Sequence, residues 1–598
     1  MGMLGILIGA AILLYAAWRL YGPVLARLLE LDNNRPTPAV TQCDHLDYEP
    51  IEPNALLSQH FSAIAAAGPI VGPIVAGIAF GWLPAILWIL VGAIFVGGVH
   101  DITALVASIR HKARSIAEVV REHMSRRAFL LFLSFVWLAL VYIVVAFTDI
   151  TARAFVGQLD LGNGEVVSGG GIASSSLIYL LIPIIMGVTM RYTKLSLGWA
   201  TIIFLPLVGL SVYAGQFIPL DMESLMIRFG WATTADEAKW AAIITWDLLL
   251  LFYCCLASIA PMWLLLQPRG HLGGYFLYVA LIGGAAGLIV GSLMNQQPIQ
   301  YPMFRGWQPP EAGNFVFPML FILIACGACS GFHALIASGT TSKQLRVESD
   351  ARVVGYGAML LEAMVAILSL ACVMRLSQTD PLLTSGKVEP NVVYATGLGS
   401  FLQTFGIPAS LAVSFALMAF TTFVYDTLDV CTRLGRYIIQ ELTGWQGWGG
   451  RWFGTIISAA APAFFVTQQV TNIQGKVVPS WEVFWPLFGA SNQLLAALTL
   501  LGVTVWLWQT RRAAWVWIVT GLPTVLMYTM SLWALGVMTR GTWQQIQNAE
   551  KVAPVSYVII TVSSLLIVLA LLMLIEAIMA LLSTAKEQAV PASTTAGV

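Results

Sequence analysis

Long unbroken apolar stretches, about fifteen of them, recur along these 598 residues, and nearly every charge is confined to the segments between them. A helix needs about 20 apolar residues to cross the hydrocarbon of a bilayer. Inside lipid every backbone N–H and C=O must be paired within the protein, so only helices or closed barrels span. The stretches are continuous and do not alternate, which excludes a barrel. Charged residues make up 10% of the chain and mean hydropathy is +0.80, against roughly 25% charge in soluble domains. The sequence therefore predicts an all-α polytopic membrane protein embedded in a lipid bilayer.

The expected spans are residues 3–22, 61–80, 84–109, 128–150, 172–190, 195–217, 241–266, 274–294, 316–340, 353–374, 407–430, 452–470, 482–508, 513–538 and 553–582. The longest polar stretches, near 30–57, 109–127, 219–240, 295–314 and 376–405, are loop-sized, so no soluble domain is expected. Arg110, Lys112, Arg114, Arg121, Arg126 and Arg127 gather after the third span. Lys and Arg collect on the cytoplasmic side, and with that loop inside, alternation through fifteen spans puts most of the 30 Lys and Arg there too. The expected orientation is N-terminus outside and C-terminus cytoplasmic. The first run lacks a basic leader and a small-residue cleavage site, so a retained helix is expected. Zero net charge gives no reason to expect nucleic acid. The seven cysteines, most of them in or beside apolar runs, show no disulfide framework.

Two spans look broken. The second contains Gly68-Pro69 and Gly72-Pro73, which remove helix hydrogen bonds and clash with the preceding turn. The ninth contains Ser330-Gly331-Phe332-His333 and then Ser338 to Ser342. They lie seven spans apart with opposite topology, and each would open a five-span unit. Interrupted helices at matching places in inverted halves point to a transporter binding site; close packing of small residues is the plainer alternative.

Several segments resemble the carbon starvation protein A (CstA) family. They include Asp47-Tyr48-Glu49-Pro50, Gln59-His60-Phe61-Ser62 leading into the Gly-Pro repeat, and Gly97-Gly98-Val99-His100-Asp101. The resemblance continues through Ser330 to Leu345, Asp429 to Tyr437, and Leu487 to Leu495, covering about residues 40–510 in order. It implies an inner-membrane carrier of a bacterium or archaeon, linked to uptake of pyruvate or short peptides and driven by protons. It also implies a LeuT-like fold of inverted five-helix repeats, with extra helices. The expected organisation is an N-terminal helix and cytoplasmic linker (1–57), a first repeat unit (58–218), an inserted helix pair (219–315), a second repeat unit (316–510), a C-terminal helix pair (511–583) and a disordered tail (584–598).

Ionisable groups at membrane depth are functional candidates by default. His100 and Asp101 in the third span and Glu362 in the tenth are expected to couple protons, or to lock helices together. Gly68, Pro69, Gly72, Ser330, Gly331, Phe332 and His333 are the expected substrate-binding residues, with His333 or a helix N-terminus facing a carboxylate. Thr421 and Thr422, with carbonyls near Ala65 and Gly68, are the place a sodium ion would take if sodium replaced the proton, which the LeuT-like resemblance implies. His60, Lys343, Asp426, Asp429 and Arg433 are expected at a cytoplasmic gate. Asn492 and Gln493 are read as hydrogen bonds between helices. No cofactor or metal is expected, and a transporter is favoured over an enzyme. A metal-dependent membrane transferase using Asp426 and Asp429 would need a second facing acidic cluster, which the sequence lacks.

Overall fold

A computed structural model describes residues 2–161, 164–193, 195–309, 315–384, 388–471, 477–548, 552 and 554–589. Helices form where the apolar runs lie. The first half comprises α1 (Met3–Leu28), α2 (Pro53–Ile64), α3 (Gly68–Phe80), α4 (Trp82–Arg110), α5 (Arg126–Ala154), α6 (Gly169–Tyr192), α7 (Leu197–Phe217), α8 (Ala235–Ile259) and α9 (Leu266–Leu293). The second half comprises α10 (Val316–Leu323), α11 (Gly331–Gly339), α12 (Arg352–Met374), α13 (Pro390–Gln403), α14 (Ala409–Thr443), α15 (Trp448–Val466), α16 (Ser480–Arg511), α17 (Trp517–Asn548) and α18 (Pro554–Ala589).

Among the described residues 12 helices are long and apolar enough to cross a membrane, or 13 with the bent α2–α3 pair. The expected number of about fifteen is reduced at two places. The ninth expected span divides into two short helices, α10 and α11. The twelfth is α15, 19 residues long, whose first turns hold Arg451 and two tryptophans. Stretches expected as loops contain helices, among them Pro38–Thr41, Ile116–His123, Met222–Arg228 and α13. Among the described residues two short antiparallel strand pairs form, Gln158–Asp160 with Val166–Ser168 and Val470–Thr471 with Val477–Val478, besides isolated bridges of Pro36 with Val347 and Ile51 with Leu345. The final helix runs to Ala589, so residues 584–589 of the expected tail are helical, and 590–598 lie outside the described residues.

α16 is buried along its whole apolar length, and α14 and α12 nearly so. α1, α7 and α18 present most of their apolar surface outward, as lipid-facing helices do. Around the buried helices, α3 packs on α12, α2 on α9 and α14, and α11 on both α4 and α16.

Both expected breaks are present. α2 ends at Ala65 and α3 restarts at Gly68 after a bend of 44°. Pro69 falls in the first turn of α3, where a missing N–H costs nothing. Between α10 and α11, residues 324–330 leave the helix. The two breaks touch. A Cβ added to Gly68 would lie 2.3 Å from Cys326 Sγ, and one added to Gly72 would lie 2.4 Å from the Leu323 carbonyl oxygen. Only hydrogen in place of a side chain lets the backbones approach so closely. α4 and α12 each carry a π turn, Ala93–Gly97 and Arg352–Gly357, about one helical turn before their buried acids Asp101 and Glu362. Such bulges are frequent at functional sites.

Candidate functional site

His333 lies in the first turn of α11, Asp101 in α4 and Glu362 in α12, and the packing of those helices draws the three into one row with His100. Asp101 is shared: His100 Nδ1 donates to its Oδ1 at 2.7 Å and His333 Nδ1 to its Oδ2 at 2.8 Å. A carboxylate here only accepts, so both Nδ1 atoms carry hydrogen. His333 Nε2 lies 3.1 Å from Glu362 Oε2, within ion-pair range but off the line of a good hydrogen bond. Two acceptors cannot face each other at that distance without a proton, so one resides on either His333 or Glu362. All four side chains are fully buried. Buried carboxylates require compensating charge, and an imidazolium at His333 offers one N–H to each. The row can therefore hold, shift and share protons across three helices.

The residues flanking the row are packed. Asn492 of α16 accepts from the Phe332 backbone N–H at 2.8 Å and from Ser330 Oγ at 3.2 Å. Gln493 donates to the Phe321 and Cys329 carbonyls at 2.8 and 3.2 Å. These two amides cap the ends left open by the second break, as expected of hydrogen bonds between helices. Gly331 lies against α16, where an added Cβ would meet Ala496 N at 2.3 Å. Gly68, Pro69 and Gly72 are buried against the other break.

Cavities lie to either side. One of about 710 Å³ is lined by Val75 of α3, Arg153 at the end of α5, Leu323 at the second break and Trp485 of α16. One of about 430 Å³ is lined by Arg121, Phe129 in the first turns of α5, Ser338 of α11, Lys343 and Glu441. α5 borders one with its last turns and the other with its first, so the two lie toward opposite ends of the helices. Neither cavity is lined by His100, Asp101, His333 or Glu362.

The expected gate residues divide into two networks. Asp426 and Asp429 do not pair with Arg433. They hold Arg269 of α9, at 2.9 Å from Asp426 Oδ1 and in direct contact with Asp429. Ser62 donates to Asp426, and Tyr253 to Asp429 at 2.8 Å. Arg433 instead reaches Asp47 at 3.2 Å and the Ala257 and Ala260 carbonyls at 2.7 and 2.6 Å. Arg436, Arg451 and the Tyr437 hydroxyl also converge on Asp47. Burial alone would raise the Asp47 carboxyl, but Arg433, Arg436 and Lys343 together with the Tyr437 hydrogen bond outweigh it and hold it well below the usual carboxylate range. Lys343 sits 3.7 Å from the centre of the Tyr437 ring. His60 faces Thr341, with Nδ1 2.8 Å from its hydroxyl.

Around the expected cation position, Thr421 Oγ1 donates to the Met418 carbonyl of its own helix at 3.0 Å. Thr422 Oγ1 is buried without a hydrogen-bond partner among the described residues, and Ala65 caps α2. Contact between α14 and the first break is made by Thr427, which donates to the Ala63 carbonyl at 2.9 Å.

The sequence profile described as Carbon starvation protein CstA matches residues 3–389 and 381–534. The chain belongs to that family. It is 31% identical over 616 residues to the peptide transporter CstA of Helicobacter pylori (strain J99 / ATCC 700824), covering 93% of this chain and 85% of that protein. It is 30% identical over 621 residues to the pyruvate/proton symporter BtsT of Escherichia coli (strain K12), covering 91% and 83%. Among solved structures, the Eremococcus coleocola manganese transporter is 13% identical with a TM-score of 0.44, over 91% of this chain and 99% of that one.

Proposed function

We propose that the chain is a secondary transporter that takes up small carboxylate solutes, pyruvate or short peptides, together with protons across the inner membrane. The names of its relatives support those solutes and, for the symporter, the proton. The observation that carries the proposal is the fully buried His100–Asp101–His333–Glu362 row, which joins α4 and α12 to the first turn of α11. Protonation of the row neutralises a buried negative charge, and a carrier that crosses the membrane loaded needs that neutralisation.

The two breaks form the substrate site. Gly68, Pro69 and Gly72 on one side and Ser330 to His333 on the other are in contact here, with cavities toward either end, which fits an occluded conformation. Separation of the breaks frees the N-terminus of α11, whose partial positive charge suits a carboxylate. The 430 Å³ cavity, lined by Arg114, Arg121, Arg451 and Lys343 beside Asp47, Glu118 and Glu441, faces the cytoplasm, with the N-terminus outside and the C-terminus inside. Asp426, Asp429 and Arg269 with His60 form the inner gate, and Asp47, Arg433 and Lys343 its mouth. A proton is preferred to sodium because the proton-holding row is assembled, whereas Thr421 bonds its own helix.

Proteoliposomes in sodium-free buffer test the proposal with labelled pyruvate and dipeptides. Accumulation is expected when the uptake side is made acidic. Uptake that reaches the same level with and without a pH gradient would overturn proton coupling, and no uptake of either solute class would overturn the substrate assignment.

A further inference from the structure

Two histidine rings face each other outside the membrane core. His111 caps the end of α4 and His123 ends the short helix Ile116–His123. Their Nε2 atoms are 3.1 Å apart. His111 Nδ1 lies 2.6 Å from the Ala107 carbonyl oxygen, which can only accept, so the hydrogen of a neutral ring is on Nδ1. His123 Nδ1 lies 2.7 Å from Gln509 Oε1. The Gln509 amide is oriented by its own Nε2, which donates to the His123 carbonyl at 3.1 Å, so the atom facing the ring is oxygen and His123 too carries its hydrogen on Nδ1. In the neutral rings both Nε2 atoms are then acceptors only 3.1 Å apart, so a proton or a metal cation has to lie between them. Glu122 adds a carboxylate oxygen 3.5 Å from His111 Nε2, and the three donor atoms lie within 4.8 Å of one another.

We infer that His111, His123 and Glu122 form a binding site for a divalent transition-metal ion with imidazole affinity, zinc being the natural probe. Ligand bonds of about 2.0–2.1 Å to each nitrogen span the gap at an angle between octahedral and tetrahedral. Donation of the second ring nitrogen to a fixed oxygen is how metal-bound histidines are held. Three protein donors leave a position for water. A bound ion would staple the end of α4 to a helix that lines the inner cavity through Ile116, Glu118 and Arg121. The rival explanation is a single proton shared by the rings.

Purified full-length protein, stripped with chelator, is titrated with Co²⁺ alone and read by visible d–d absorption, then competed with Zn²⁺. One Co²⁺ per chain is expected, displaced by Zn²⁺, with the signal lost in His123→Ala. Gln509→Leu, which removes the orienting amide, is expected to weaken binding about 10–100-fold. Absence of metal-dependent absorption would overturn the site. So would a signal that survives His123→Ala but disappears in His45→Ala, which belongs to the separate Cys43–His45–Glu49 cluster. Should His123→Ala fail to fold, the exposed Glu122→Gln decides: weakened binding supports the site, and unchanged Co²⁺ affinity and spectrum refute it.

Discussion

Replacing Gly68 with alanine drives a methyl group into Cys326. The new Cβ would lie 2.3 Å from Sγ and 2.4 Å from Cβ, with the Cys326 backbone carbon at 3.9 Å. The first two distances are far inside van der Waals range, and the third is ordinary. Both partners belong to helix breaks held from other sides, Cys326 by the Asn492 side chain at 3.4 Å, so neither can swing away alone. Overpacking of this kind costs about 1–3 kcal/mol. Cys326→Gly removes both clashing atoms and leaves only the backbone carbon, at a tolerable separation. In that background the penalty of Gly68→Ala should nearly vanish, giving a coupling of roughly 1–3 kcal/mol in a double-mutant cycle. The cycle is read from unfolding of the purified protein in mild detergent. An equal penalty with and without the Cys326 side chain, or no penalty at all, would show that the two breaks do not meet.

Other perturbations follow from named interactions. Glu348 accepts from Arg110 Nε at 2.9 Å, Arg35 at 3.0 Å and the Asp32 backbone at 2.8 Å; Glu348→Gln should destabilise by about 1.5–3 kcal/mol, checked by thermal unfolding. Asn492→Leu strips the Phe332 N–H of its acceptor, and a loss of about 1–3 kcal/mol is expected in the same assay. Asp47 and Glu348 both titrate lower in the folded chain, Glu348 because its hydrogen bonds and the arginines outweigh burial. Their contribution is thus complete above the unfolded carboxylate range of about 4 and is lost as pH falls through the folded values. The share of the melting temperature that these two carboxylates supply should hold down to about pH 5 and fall below about 4, so Asp47→Asn should flatten the acid limb relative to the unaltered protein.

The spans were legible because lipid imposes length and hydropathy on a helix directly. The first break was legible because Gly68-Pro69 suits a helix start, although the second pair, Gly72-Pro73, lies inside α3; the second was legible because Ser330-Gly331 stands where α11 begins. His333 and Glu362 could be picked out by depth alone, but not that they meet: residues 101, 333 and 362 are brought together by helix packing, which periodicity does not encode. For the same reason nearness in sequence grouped Asp426, Asp429 and Arg433 at one gate, while the cation that Asp426 and Asp429 hold, Arg269, lies on α9. α13 was hidden because its 14 residues mix Gly, Thr and Ser and read as a loop. The ninth span was counted as one crossing because its apolar composition is continuous, although its backbone is not.

The most direct measurement compares Glu362→Gln with the unaltered protein in two modes, solute exchange at equal pH and uphill uptake under a pH gradient. Glutamine keeps the size of the side chain and removes its proton. Exchange should persist while gradient-driven accumulation is abolished. A Glu362→Gln carrier that still concentrates solute with the normal dependence on pH would contradict the buried row as the place where the proton rides.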